Sequence, residues 1–208
     1  FPSVFLEPQP KDPAAQGFDL AVLSLSSPAD YFQPALAGIP ARAGHLRVLP
    51  RGGGTLQCGQ ALNEALVIDC SKHLDRIVSL DVENRRCVVE PGIVLDELNR
   101  RLKPHGLWFP VDPSTASRAT LGGMTGNNSC GTRSLRYGTT RDNVIAIDAM
   151  LPSGNLAHFG EVSRDLSELS PGSELRPLAE KLLALGAREA LEIEERFPKV
   201  QRRVGGYN

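Results

Sequence analysis

The 208-residue sequence predicts an α+β fold, on three observations. Short β-type runs come in pairs separated by turn residues. Helical periodicity is confined to a few segments, and 20 glycines with 16 prolines supply more backbone punctuation than a helical bundle tolerates. The regular strand–helix alternation of a doubly wound sheet is missing. The length suits one large domain or two small ones, enough to bury a core.

Residues 1–45 read differently from the rest. They hold seven of the 16 prolines (Pro2, Pro8, Pro10, Pro13, Pro28, Pro34 and Pro40) and only two basic residues, Lys11 and Arg42. Such spacing leaves little room for a helix, so an irregular or partly disordered lead-in is expected. From residue 46 the pattern becomes regular. Leu46–Leu49 and Leu66–Asp69 read as short buried strands. Arg76–Leu80 and Arg86–Glu90 alternate and flank Asp81–Arg85, a loop suited to a hairpin that Pro91-Gly92 ends. Apolar residues at 94, 95, 98 and 102 mark one helical face over Val94–Lys103, stopped by Pro104–Gly106. After a glycine-rich stretch from Pro110 to Gly138, Asn143–Leu151 and Leu156–Phe159 form a second hairpin pattern around Pro152–Asn155. Glu174–Ala190 and Leu191–Phe197 read as helices, with Leu175, Leu178, Leu182 and Leu185 on one face. No internal repeat is visible.

Composition excludes several functions. A formal net charge of −1 gives no support to a nucleic-acid grip or a polybasic membrane anchor, and 5% aromatics are too few for a base-stacking platform. No apolar run approaches the roughly 20 residues of a membrane helix. The four cysteines, Cys58, Cys70, Cys87 and Cys130, contain no C-x-x-C pair, so the expectation is buried free thiols in a reducing, cytoplasmic compartment and no metal site. Phe1-Pro-Ser-Val-Phe-Leu6 has no basic n-region of a signal peptide. It also lacks an initiator methionine, so a processed product or an excised piece is expected.

Two loops hold the informative glycines. The first, Pro50-Arg-Gly-Gly-Gly-Thr-Leu-Gln-Cys-Gly-Gln60, follows a strand directly. Consecutive glycines let main-chain N–H groups turn inward on a phosphate. The P-loop pattern matches at Gly54 and Gly59, but Gln60 and Ala61 replace its lysine and hydroxyl; the G-x-G-x-x-G pattern fails at Gln57. A phosphate loop of another kind remains, beside the alternative of a tight turn after an edge strand. The second loop, Asp112–Gly131, continues through Arg136–Val144 and carries Gly122, Gly123, Gly126, Gly131 and Gly138 among hydroxyl and amide side chains. Leu121, Met124, Cys130, Leu135 and Tyr137 supply apolar anchors. A polar, uncharged lining suits a long cofactor, and together the loops point to a dinucleotide lying across both.

Residues 46–162 closely resemble the FAD-binding domain of flavin-linked dehydrogenases and oxidases of the vanillyl-alcohol oxidase and p-cresol methylhydroxylase type. The likeness is carried by Pro50–Thr55 with Gly59-Gln60, Val89-Glu-Pro-Gly92, Pro110-Val-Asp-Pro113, Thr120-Leu-Gly-Gly123, Asn127–Gly131 and Arg136-Tyr-Gly138, in order and spacing. Within that family the D-lactate and D-2-hydroxyglutarate dehydrogenase branch is most similar. The resemblance implies an FAD-binding type-2 domain with two small sheet-containing subdomains, incomplete at its C-terminus. Residues 1–45 would be an atypical lead-in and 163–208 a helical connecting segment.

The resemblance also implies roles. Arg51, Gly52, Gly53, Gly54, Thr55, Gly59 and Gln60 would wrap the FAD pyrophosphate through main-chain donors. Pro113, Ser114, Thr120, Gly122 and Gly123 would line the phosphate and ribityl stretch. Gly126, Asn127, Ser129 and Gly131 would sit close to the flavin, with Val144 at the adenosine side or the ring edge. Arg51 is read equally as a phosphate partner or as part of a structural ion pair, and Asn127 and Asn128 alternatively as loop-stabilising amides. Thr55 stands where covalent relatives carry a histidine, so the FAD is expected to be non-covalent. The full-length enzyme would oxidise a D-2-hydroxy acid and pass electrons to an acceptor, its catalytic residues lying outside this chain. The alternatives are a truncated, non-catalytic fragment that folds without FAD, or a binder of nucleotide phosphate only. Among the histidines, His158 reads as a half-exposed strand residue and His105 as solvated in its turn. The charged stretch 188–203 reads as a solvated helix face.

Overall fold

A computed structural model of the chain describes residues 3–5, 7–8, 23–24, 48–56, 65–151 and 154–200. Ten short strands among these residues form β1 Ser3–Phe5, β2 Glu7–Pro8, β3 Leu23–Ser24, β4 Val48–Arg51, β5 Leu66–Asp69, β6 Ile77–Asp81, β7 Arg86–Val89, β8 Leu107–Trp108, β9 Ile147–Met150 and β10 Leu156–Phe159. The helices are α1 Leu95–Leu102, α2 Leu121–Asn127, α3 Ser134–Tyr137, α4 Leu175–Arg188 and α5 Ala190–Arg196. This is the α+β composition the sequence predicts.

The core is built around α1. Its apolar residues fall on one face, and Leu95, Leu98 and Leu102 are buried among Cys87, Val89, Ile93, Phe109, Val111, Leu121 and Met124. Asp96 and Glu97 in the first turn and Arg100 and Arg101 in the last complement the helix dipole. Val94, the N-cap residue, makes no side-chain cap. Two N–H groups that a helix start leaves open are instead taken by carbonyls of the second glycine-rich loop: Leu95 N–H donates to Ala119 O (3.0 Å) and Asp96 N–H to Ala116 O (3.2 Å). A 3-10 turn at Lys103–His105 and left-handed Gly106 end the helix, as Pro104–Gly106 predicts. The Asn99 side chain then ties it to the next segment, accepting the Phe109 N–H at 2.7 Å.

The hairpin β6–β7 is antiparallel, with Asp81 accepting from the backbone and side chain of Asn84 to hold the turn. The hairpin β9–β10 is antiparallel too, pairing Leu156 with Met150 through Phe159 with Ile147; Pro152 and Ser153 lie outside the described residues. Its first strand is shorter than Asn143–Leu151. Asn143 ends a 3-10 turn, and its amide is committed to the carbonyls of Tyr137 (2.9 Å) and Thr139 (2.8 Å), which takes the chain out of the extended form there.

Two further expectations are corrected. The lead-in is not wholly irregular: β1 pairs antiparallel with β7, β2 antiparallel with β8, and β3 parallel with β9. Open edges of strands built later in the chain override the local preference of these proline-flanked segments. The remaining residues of 1–45 lie outside the described residues. The parallel pair β4–β5 is also less buried than its apolar sequence suggests, with Val48, Leu66 and Val67 exposed. It is a two-stranded sheet that contributes no residue to the core cluster. Helix α4 carries its leucines on one face as the spacing predicts, and Leu178, Leu182 and Leu185 on that face are exposed. Helix α5 forms the solvated, ion-paired face expected of its charges. Among the described residues no helix is long and apolar enough to cross a membrane.

Candidate functional site

The turn after β7 is the platform for the second loop. Gly92 N–H donates to Leu74 O at 2.7 Å, and Gly92 packs so closely on the Cys70 carbonyl that no side chain fits. From the other side, Gly122 N–H donates to Pro91 O (2.8 Å) and Leu121 N–H to Ile93 O (3.0 Å), while Val94 bridges to Thr120. The start of α2 is therefore bolted to Val89-Glu-Pro-Gly92. Thr120 is its N-cap residue and makes no cap bond.

The first loop closes on this segment. A Cβ at Gly52 would collide with the Thr120 side chain, and one at Gly53 with the Arg118 carbonyl. Gly54 takes a left-handed conformation (φ 64°), and the Arg51 guanidinium folds back over it. Arg51 also lies opposite Asp69 in the β4–β5 ladder. The Asp69 carboxyl is held below its ordinary range, chiefly by the Ser71 hydroxyl, with Lys72 and Arg51 adding smaller pulls. Between Gly52 and Gly123 sits the Thr120 hydroxyl, buried and without a hydrogen-bond partner among the described residues. An orphaned buried hydroxyl costs about 1–3 kcal/mol, so its position asks for a polar ligand.

The segment beyond α2 is locked by a polar network. Asn128 is left-handed (φ 47°) and 3% exposed, and its Oδ1 accepts the Arg141 N–H at 2.9 Å. Thr140 donates to Ser129 O from its hydroxyl (2.7 Å) and from its backbone (3.0 Å). Asp142 accepts from the Thr139 backbone at 2.7 Å and hydroxyl at 3.0 Å. Asp112 accepts the Arg133 N–H at 2.9 Å, and Gly131 N–H donates to the Ser134 hydroxyl at 3.1 Å. Arg133 lies over the Trp108 ring, 4.6 Å from its centre, and Tyr137 meets the same ring edge-on.

The structure thus brings Gly52 and Gly53 against Arg118 and Thr120, with Gly123 beside the same hydroxyl. Asn127 reaches Ser129 Oγ at 3.4 Å. Pro113 O accepts the Ala116 N–H in the turn that leads to Thr120, and Ser114 in that turn is exposed. Gly126 lies within α2, half-buried like Thr55 in the first loop. Val144 packs half-buried against the edge of the core cluster. Gly59 and Gln60 lie outside the described residues, as does Cys58. For Gly122 and Gly131 the reason for glycine is internal, because Pro91 and the Asp112 backbone occupy the space a side chain would need. Asn128 takes the loop-stabilising role that was one of its two sequence readings, whereas the bonds of Thr140, Asn143 and Glu90 have no marker in the sequence, because their partners are set by the fold. His158 is bonded to Asp148 at 2.6 Å across β9–β10, and His105 is exposed in its turn. A cleft beside β10, with Glu161, Glu168 and Glu174 in its wall, shares no residue with the glycine loops.

With this geometry in place, the family described as FAD binding domain matches residues 40–160. The chain belongs to that family. FAD is the cofactor of this FAD-binding domain. The chain is 39% identical over 191 residues to a D-2-hydroxyglutarate dehydrogenase of Pantoea ananatis, covering 90% of this chain and 19% of that protein. It is 38% identical over 135 residues to the mitochondrial D-lactate dehydrogenase (cytochrome) of Arabidopsis thaliana, covering 61% and 23%. A solved alkyldihydroxyacetonephosphate synthase overlaps 61% of this chain and 22% of its own, with a TM-score of 0.49 and 23% identity. The chain spans 16–19% of the length of the D-2-hydroxyglutarate dehydrogenases it matches. The residues present fit the cofactor on one observation: the Thr120 hydroxyl is buried between the two glycine loops with no hydrogen-bond partner among the described residues.

Proposed function

We propose that this FAD-binding domain is the cofactor-holding part of a flavin-dependent oxidoreductase that oxidises a D-2-hydroxy acid of the D-lactate or D-2-hydroxyglutarate type. Relatives carrying those two names support the substrate class. Bound flavin supplies a hydride acceptor, and the protein supplies position and electrostatics. The first loop, Arg51–Thr55 continuing to Gly59 and Gln60, holds the pyrophosphate by main-chain donors. Thr120 and Gly123 hold the adjoining stretch, together with Pro113, Ser114 and Gly122. Gly126, Asn127, Ser129 and Gly131 stand toward the flavin, with Val144 behind them. Thr55 offers no nucleophile of the histidine kind, so attachment is non-covalent. The acid–base residues and the contacts to the electron acceptor belong to the remainder of the whole enzyme.

One observation carries this reading: the buried Thr120 hydroxyl at the junction of the two glycine loops, which has no hydrogen-bond partner among the described residues. Titration of the chain with FAD tests it. Saturable quenching of flavin fluorescence and a rise in melting temperature are expected, with ADP alone binding more weakly. No quenching and no thermal shift at excess FAD would overturn it.

A second reading, a chain that folds without FAD and does no chemistry, is favoured by Gly122 and Gly131, whose close contacts are made within the protein. A cooperative melt of FAD-free chain that FAD leaves unchanged is its signature.

A further inference from the structure

We propose that Glu90, clamped by Arg76, is a positioning residue for the cofactor site: it fixes Pro91, and through Gly122 it places the Thr120 hydroxyl. The proposal rests on the flavin reading of that site.

Glu90 has no exposed surface, whereas the Arg76 side chain is 58% exposed. A carboxylate taken fully out of water is costly unless its oxygens are satisfied. Here the Arg76 backbone N–H donates to Oε2 at 2.8 Å, Nη2 to Oε1 at 2.6 Å, and Nε to both oxygens at 3.1 Å. Glu90 N–H returns a bond to Arg76 O at 2.9 Å. The two residues sit just beyond the Ile77–Val89 rung of the β6–β7 hairpin, so the clamp closes its open end.

The chain leaves that end directly into Pro91, and the clearance there is small. Gly122 N–H donates to Pro91 O at 2.8 Å, and a Cβ at Gly122 would stand 2.6 Å from the Pro91 side chain. Packing this close transmits a displacement rather than absorbing it. Two residues before Gly122 stands Thr120, whose hydroxyl faces Gly52 and Gly123. A buried ion pair gives little net stability compared with apolar residues of the same shape. What this pair does supply is a fixed geometry at the hairpin exit. The effect of the clamp on the cofactor site runs through Pro91 and Gly122.

The experiment compares the full chain with Glu90→Gln, Thr120→Val and the double variant. It reads FAD dissociation constants and the visible circular-dichroism band of bound flavin. Glu90→Gln is expected to weaken FAD about tenfold and alter the band, yet to cost less than about twofold once Thr120 is Val, because coupled residues are non-additive. If Glu90→Gln does not fold, Arg76→Lys makes the same comparison from the exposed side, keeping the charge and losing the two-pronged geometry. An equal penalty in both backgrounds, or unchanged affinity and band, overturns the proposal while leaving the flavin site standing. Absence of FAD binding by the unsubstituted chain overturns the site reading, and this proposal with it.

Discussion

The backbone N–H of Arg141 donates to the side-chain Oδ1 of Asn128 at 2.9 Å, across thirteen residues of chain. Asn128 is left-handed, a conformation that asparagine tolerates better than most side chains. Replacement by Ala removes the bond and strains the backbone; replacement by Gly removes only the bond. Asn128→Ala should therefore cost about 2–3 kcal/mol and Asn128→Gly about 1 kcal/mol less. Urea unfolding of the two variants checks the order, and Gly as the worse of the pair would contradict it.

Gly52 leaves no room for a side chain against Thr120 of the second loop. Gly52→Ala must push Thr120 away or open the first loop. An FAD affinity at least about tenfold weaker is expected, since about 1.4 kcal/mol of misplacement suffices. Flavin fluorescence titration measures it. Gly172→Ala, at a position with open space around it, is the control and should leave binding unchanged.

The carboxyl of Glu97 is held at about 2 instead of 4.5, first by Arg100 and then by Arg101. A depressed folded value means the stabilisation is complete above pH 4.5 and is lost as pH falls toward 2. The Glu97 side chain is 31% exposed, so screening keeps the total to about 1 kcal/mol or less. Glu97→Gln should be slightly less stable than the parent at pH 7, with the gap closing in that acid window. Urea midpoints at pH 7, 4 and 2.5 test the sign, and a gap that widens in acid would reverse the assignment.

Phe109 is fully buried, in a segment whose backbone N–H is held by Asn99. Truncation to Ala leaves a cavity beside α1 and should cost about 3–5 kcal/mol. Leu135→Ala, at an exposed residue of α3, should stay within about 0.5 kcal/mol. Thermal melts of the FAD-free chain distinguish the two.

Much of this was legible in the sequence because its signals are local. Asp81–Arg85 announces the first hairpin, Pro152–Asn155 the second, and the spacing of Leu95, Leu98 and Leu102 announces α1. The two glycine loops were legible as a pair. What each glycine serves was not, because its obstructing neighbour is distant in sequence: Pro91 for Gly122, and the Asp112 backbone for Gly131. Arg76 and Glu90 are fourteen residues apart and ordinary in type, so nothing local marks them as a buried clamp. The exposure of β4 and β5 was hidden for the opposite reason. Their apolar composition describes a strand well but does not say whether a second layer covers it.

Helix α1 has no side-chain cap at its start and borrows the carbonyls of Ala116 and Ala119 instead. Those carbonyls belong to the turn that delivers Thr120 to the cofactor site. The amide protons of Leu95 and Asp96 therefore exchange with solvent at a rate set by how tightly that turn is held. Loading of the flavin site should slow their exchange while leaving that of the α4 amides unchanged, so that two backbone protons at the start of α1 count cofactor occupancy.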